Sequence, residues 1–283
     1  MTPRSALLNV MTKAVDKAAR ALKRDFGEVE QLQVSQKGPS DFVSNADLKS
    51  ERILREELSK ARPGFGFLAE ESGTQAGSDA EHRWLIDPLD GTTNFLHGLP
   101  HFAISVALEK AGEIIAGVIY DPIKNELFVA EKGGGAFMND RRLRVSARKS
   151  LGDSLMATGI PFRGKGDPTT FARQLQFAMR ETAGVRRFGA ASLDLAYVAA
   201  GRYDAFWEEG LAAWDVGAGI LLVREAGGYV SDLKGGQTML HGGSILATNG
   251  LLHAPIQGLL TPHRGFAGGR IFATFPAETC ATR

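Results

Sequence analysis

Residues 84 to 95 read Trp-Leu-Ile-Asp-Pro-Leu-Asp-Gly-Thr-Thr-Asn-Phe, and this order constrains the fold more than any other stretch of the chain. An apolar run suited to a buried strand delivers two carboxylates, a proline that fixes the exit direction, and a glycine followed by hydroxyls. The spacing predicts Asp87 at the exposed end of the strand and Asp90 just before the backbone turns into a helix. Gly91 would allow close backbone approach, and the N–H groups of Gly91, Thr92 and Thr93 at a helix start would face an anion. Taken alone, the segment fits a capped turn as well as a metal-phosphate site, because Asp-Pro and Asp-Gly pairs are common turn formers.

At 283 residues the chain has room for a substantial core in one large domain or two tightly packed ones. With 43% hydrophobic and 23% charged residues it has the composition of an ordinary soluble globular protein. A net charge of +1 argues against a broad nucleic-acid face. The basic residues Arg141, Arg142, Arg144, Arg148 and Lys149 read as solvated surface, and Arg186 with Arg187 as either surface or a subunit contact. The single cysteine, Cys280, excludes a disulfide framework and a thiolate metal site, and fits a reducing cytoplasm. Acidic residues interrupt the basic N-terminal segment, so neither a targeting signal nor a membrane span is expected.

Leu8, Met11, Val15, Ala18 and Leu22 recur at helical spacing and predict an opening amphipathic helix. A second helix is expected from Ala46 to about Ala61, with Ser44 as N-cap, Asp47 three residues on, and an apolar side of Leu48, Ile53, Leu54 and Leu58. Three strand-like runs follow at 102–108, 114–120 and 126–130, and their short turns imply an antiparallel meander. Gly133 to Gly135 lack a following Gly-Lys-Ser/Thr and read as a hairpin. Beyond about residue 147 the pattern becomes α/β: a strand at 154–158, helices at 169–180 and 190–200, a strand at 203–207, a helix at 214–225, a strand at 245–248 and a closing helix at 251–260. The expected division is an N-terminal α+β half at 1–150, a C-terminal α/β half at 151–262, and a tail at 263–283 without assignable chemistry.

Asp41, Asp47, Glu70, Glu71, Asp87, Asp90, Glu208, Glu209 and Asp215 sit at element ends, most of them after an apolar segment. Carboxylates converging at a sheet edge need a cation to offset their repulsion, and hard oxygen donors select Mg²⁺ or Mn²⁺. His97 and His101 are four residues apart, but Gly98 and Pro100 break the helix that would align them as ligands. No nucleophile elbow, dinucleotide fingerprint or Walker A sequence is present. Metal-assisted phosphate chemistry is what remains.

Five separated segments in register give the chain a resemblance to the inositol monophosphatase family, close to its bacterial members. They are Lys37 to Asp47, Ala69-Glu70-Glu71-Ser72, Trp84 to Phe95, Gly189-Ala-Ala-Ser-Leu-Asp194 through Gly201 with Glu208 beyond, and Trp214-Asp215-Val-Gly-Ala-Gly. The resemblance covers roughly residues 5 to 260, and the tail departs from it. It implies an alternating α/β/α/β/α layered fold, inhibition by Li⁺, a requirement for Mg²⁺ as two or three ions, and the homodimer usual in the family.

By motif position, the resemblance implies that Glu70, Asp87 and the Leu89 carbonyl hold a first metal, and that Asp87, Asp90 and Asp215 hold a second. Glu70 with waters would hold a weaker third. Thr92 and Asp47 would orient and deprotonate the attacking water, and the Gly91 and Thr92 amides would grip the phosphate. Lys37 and Asp41 would lie in a mobile loop near the metals. Gly189, Ala191 and Glu208 would meet the alcohol, with Asp90 and Asp215 also facing substrate. Asp194, inside a helix, is expected instead to fix a neighbouring loop by hydrogen bonds. The function implied is a phosphomonoesterase acting on inositol monophosphate or a similar small polyol phosphate. Fructose bisphosphate, phosphoadenosine phosphate, histidinol phosphate and dinucleotide phosphates are family alternatives. An association with the transcription machinery is implied by some bacterial relatives, without direct nucleic-acid binding and without a membrane.

Overall fold

Helix α1 (Ala6–Phe26) begins where the Ser5 side chain accepts from the Leu8 N–H at 3.1 Å, and it ends with Lys23 and Arg24 in its last turn. Its buried stripe contains Leu8, Met11, Val15, Ala18 and Leu22, as the periodicity predicts. The computed structural model describes residues 5–28, 34–38, 41–161 and 166–261, and for 34–38 and 41–43 the backbone only. Strands β1 (Val34–Gly38) and β2 (Asp41–Ser44) form an antiparallel hairpin that leads into α2 (Asn45–Ala61). There Ser44 and Asp47 cap the helix reciprocally. The buried ladder of α2 is Ala46, Ser50, Leu54 and Leu58. Leu48, expected on that side, falls off the four-residue ladder and is 51% exposed.

Next come β3 (Phe65–Ala69), β4 (Gly73–Gln75), β5 (Asp79–Asp90), the single-turn α3 (Thr92–Leu96), β6 (Ala103–Lys110), β7 (Glu113–Asp121), β8 (Glu126–Glu131), β9 (Gly135–Met138) and β10 (Arg141–Arg142). The sheet order is β10-β9-β8-β7-β6-β5-β3-β4, with β3 parallel to β5 and every other pair antiparallel. The expected meander is β6 to β9, and Gly133 to Gly135 turn between β8 and β9.

The remaining elements are β11 (Leu155–Thr158), α4 (Pro168–Glu181), β12 (Gly184–Arg186), α5 (Ala191–Ala199), β13 (Ala205–Glu209), α6 (Ala213–Glu225), β14 (Tyr229–Ser231), β15 (Ser244–Thr248) and α7 (His253–Leu260). They supply a second sheet of order β12-β11-β13-β15-β14, in which β11 runs parallel to both neighbours.

Alternation along β5 shows how the layers stack. Trp84 and Ile86 point to one face, where they pack with Leu8, Leu22, Leu54 and Leu58 of α1 and α2. Leu85 points to the other face, toward Leu195 of α5 and Ile220 of α6. Those two helices also bury Phe206 and Ala247 of the second sheet. Its outer face packs Met156, Trp207 and Leu246 against α4 and α7 through Ala178, Ile256 and Leu260. The result is an α/β/α/β/α layered sandwich. A sheet covered on both sides explains the unbroken apolar run that precedes Asp87. The central layer is thin because α6 carries glycine at its contacts: a Cβ on Gly219 would fall 2.5 Å from the Cβ of Leu195.

Candidate active site

Strand β5 does not stop at Pro88 but continues to Asp90 through an irregularity. Asp87 pairs with Ser105 and Asp90 with Ala103, so three residue steps on β5 oppose two on β6. In a regular strand, residues three apart face opposite sides; the extra residue lets both carboxyls line one cavity. This corrects the expectation for Asp87, which is only 2% exposed. Its Oδ1 accepts the Leu89 N–H at 3.0 Å. The Ser50 hydroxyl of α2 donates to the Pro88 carbonyl at 2.8 Å, holding the bulge against the helix layer.

Gly91 then takes a left-handed conformation, φ 93°, at the start of α3. A Cβ there would press on the His101 and Gly189 carbonyls, at 3.1 and 3.3 Å. Asn94 binds the same two segments, donating to His101 O at 2.8 Å and to Phe188 O at 2.7 Å. The turn after β5 is thereby fastened to the connection that opens α5.

From α5, Ser192 donates its N–H to Asp90 Oδ2 at 2.7 Å and its hydroxyl to the same oxygen. From α6, Asp215 accepts the Ala212 N–H at 2.7 Å and so caps its own helix. The Ser105 hydroxyl donates to Trp214 O at 3.2 Å, fixing the start of α6 to the strand beside Asp87. Glu70 follows β3, its N–H donating to Ile86 O at 3.1 Å. Helix α2 contributes Asp47, whose Oδ2 accepts from the Ser44 N–H at 2.9 Å and the Ser44 hydroxyl at 2.6 Å. Asp47 Oδ1 accepts from the Thr92 hydroxyl at 3.0 Å, and that hydroxyl also lies 3.0 Å from Leu89 O.

A cavity of about 350 Å³ is lined by Glu70, Asp87, Leu89, Asp90, Gly91, Thr92, Gly189, Ala191, Glu208 and Asp215. Asp47 reaches it through Thr92. The structure therefore brings together every sequence-expected site residue except Lys37 and Asp41, whose side chains lie outside the described residues.

The electrostatics are those of crowded, buried carboxylates. Burial, followed by repulsion from Glu70, Asp90 and Asp215, pushes Asp87 well above the usual carboxylate range. Burial pushes Asp90 up to about 6, against the hydrogen bonds from α5 that favour its charged form. Asp47 is also raised by burial, partly offset by Ser44 and Thr92. Among the described residues no three Asp, Glu, His or Cys side chains close to full ligand spacing. The donor set nevertheless fits a hard divalent cation: oxygen ligands only, around the buried Asp87 carboxyl, to which Glu70, Asp90 and Asp215 add a repulsion that such an ion would relieve.

Asp194 departs from its expected part. It is buried in α5 and its Oδ1 has no hydrogen-bond partner, so that oxygen latches no loop. Its neighbours are Glu208 and Asp90, whose repulsion adds to burial in holding its carboxyl well above the usual range. The fully buried Asp204 does fasten a loop, accepting the Leu155 N–H at 2.8 Å and the Ser146 hydroxyl. Ser192 and Asn94 were missed because each sits inside a recognised motif as an ordinary small polar residue. The one available signal for Ser192 was a hydroxyl among alanines at a helix start. Arg187, expected as surface or subunit contact, is exposed and also lines the cavity.

A model of the inositol monophosphatase family matches residues 4–264. The chain belongs to that family. An inositol-1-monophosphatase of Mesorhizobium japonicum is 62% identical over 246 residues, spanning 87% of this chain and 92% of its own length. A solved structure, extragenic suppressor protein suhB from Bartonella henselae, agrees with a TM-score of 0.89 at 56% identity, covering 93% of this chain and 100% of that one. The Nus factor SuhB of Escherichia coli is 45% identical over 243 residues, 86% of this chain and 91% of its own. The layered sandwich is thus the family's fold, carried at high identity.

Proposed function

We propose that this protein is a Mg²⁺-dependent phosphomonoesterase that hydrolyses inositol monophosphate or a similar small polyol phosphate to the alcohol and inorganic phosphate. The observation that carries this reading is the Thr92–Asp47 contact of 3.0 Å beside the four gathered carboxylates. The names of the similar inositol-1-monophosphatases support the substrate class.

Glu70, Asp87, the Leu89 carbonyl, Asp90 and Asp215 would hold the ions. When bound, Mg²⁺, or Mn²⁺ in its place, supplies Lewis acidity that lowers the pKa of water and offsets charge on the departing oxygen. The protein's own groups do the rest. The Thr92 hydroxyl orients a water and hands its proton toward Asp47, since a threonine alone is too weak a base. Burial raises Asp47 and so makes it a better proton acceptor near neutrality. The water oxygen forms a bond to phosphorus, the ester P–O bond breaks, the alcohol oxygen takes a proton from a solvent water as it leaves, and Asp47 returns its proton to solvent. The Gly91 and Thr92 amides at the start of α3 face the phosphate. Glu208, which lines the same cavity as Gly189 and Ala191, accepts hydrogen bonds from alcohol hydroxyls.

Phosphate release across inositol, fructose, phosphoadenosine and histidinol phosphates tests the reading, with Li⁺ added as inhibitor. Inositol phosphate should be preferred, and Asp90→Asn should cut turnover by roughly a hundredfold or more. Equal turnover of every substrate would remove the inositol preference, and near-normal activity of Asp90→Asn would remove the site.

The Nus factor names favour a second role in association with transcription complexes; that the protein acts as a cytoplasmic homodimer is proposed on the family resemblance alone. Among the described residues no helix is long and apolar enough to cross a membrane. Retention of Asp90→Asn on RNA polymerase with its elongation factors would support that role. Failure of both the variant and the wild type to bind would reject it.

A further inference from the structure

Gly159 is buried and follows directly on β11, whose last residue, Thr158, pairs in parallel with Trp207 of β13. The Thr158 hydroxyl donates to the Trp207 carbonyl at 2.9 Å and clasps the two strand ends. Gly159, just past the end of β11, therefore lies beside Glu208, the residue after Trp207 on β13, and both line the cavity. A Cβ built on Gly159 would overlap the Glu208 carboxyl carbon and both of its oxygens; those are its three nearest atoms.

The backbone at 159 is outside the left-handed region, so its conformation does not require glycine. What requires it is the space occupied by a carboxylate. The obstructing group is the end of a flexible side chain, so a larger residue at 159 would be accommodated by moving Glu208 and not by disrupting the strand. Asp194 of α5 has a buried carboxyl within electrostatic reach of Glu208.

We propose that Gly159 is a positioning residue that seats the Glu208 carboxylate against β11 and so sets the selectivity for hydroxyl-bearing alcohols. This rests on Glu208 being the alcohol contact.

The test compares wild type, Gly159→Ala, Glu208→Ala, the double variant, and Gly159→Ala combined with Glu208→Asp. The substrates are myo-inositol 1-phosphate and p-nitrophenyl phosphate, whose leaving group carries no further hydroxyl. Gly159→Ala should lower the ratio of kcat/KM for the first over the second about tenfold, mainly through KM for inositol phosphate. Adding Gly159→Ala to Glu208→Ala should change nothing further, and the shorter Asp at 208 should restore much of the ratio. A crystal structure of Gly159→Ala should show Glu208 displaced. An unmoved Glu208, or a Gly159→Ala effect that persists in full on Glu208→Ala, would overturn the seating. A ratio unaffected by Glu208→Ala, in an enzyme that does hydrolyse both substrates, would instead overturn Glu208 as the alcohol contact. Absence of phosphatase activity in the wild type would defeat the functional reading itself.

Discussion

Asp90 and Ser192 stand 102 residues apart and meet at one oxygen, Asp90 Oδ2, which accepts the Ser192 N–H at 2.7 Å and the Ser192 hydroxyl as well. The start of α5 is thereby tied to the bulged end of β5, and hydrogen bonds from Ser192, Ala191 and Leu193 stabilise a carboxylate that burial opposes. Ser192→Ala keeps the backbone donors and loses one charge-assisted bond. It should cost about 1–2 kcal/mol of stability. If Asp90 holds metal, looser orientation should also weaken Mg²⁺ binding several-fold, as read by calorimetry. Unchanged melting temperature and unchanged Mg²⁺ affinity would show that the hydroxyl is dispensable.

Asp47 serves a helix cap with one oxygen and Thr92 with the other. Asn at 47 preserves the shape and an acceptor for the cap but removes the proton acceptor. Asp47→Asn should therefore lower kcat by about 10²–10⁴ while the melting temperature changes little. Thr92→Val should act on the same step, so the double variant should be scarcely worse than either single one. A full multiplicative loss in the double variant would mean that the two residues work independently.

Much of this arrangement was legible in the residues because strong periodicities and a contiguous motif carried it. The α1 stripe, the β6–β9 meander and the turn at Gly91 each follow from local chemistry. Other features depend on distant partners. Nothing at Pro88 announces that β5 persists to Asp90, because the bulge is defined by pairing with β6. Edge strands β12 and β14, three residues each, are too short for an alternation to register. Leu48 matched an apolar tally but not the ladder, and Gly159 is explained only by a carboxylate on the neighbouring strand.

Two helical glycines should respond to the same substitution with opposite signs. A methyl on Gly219 would collide with Leu195 of α5, whereas one on Gly258 of α7 meets no atom within 4 Å. Gly219→Ala should destabilise by about 1–3 kcal/mol through overpacking. Gly258→Ala should stabilise by about 0.4–1 kcal/mol by restricting the unfolded chain. Denaturant titration of both variants reads the signs directly. A neutral Gly219→Ala would show that α5 and α6 can slide apart at no cost.

His101 supplies a pH dependence separate from the carboxylates of the cavity. Burial, then the nearby Lys124, lowers its pKa to about 4, against smaller opposing effects of Asp121 and Glu126. Lys124 Nζ lies 3.2 Å from Nδ1, which places the imidazole proton on Nε2, and that buried nitrogen has no partner. The folded state thus holds a neutral ring that the unfolded chain protonates near pH 6.5. Between those values the unfolded state binds more protons, so stability rises with pH. The contribution is fully present above pH 6.5 and is lost progressively as pH falls toward 4, by up to about 3 kcal/mol before solvent screening reduces it. His101→Gln should flatten this component, so that wild type minus variant stability, measured by urea unfolding from pH 4 to 8, declines on the acid side. A difference that stays constant across that range would show that His101 remains as easily protonated in the folded protein as in the unfolded one.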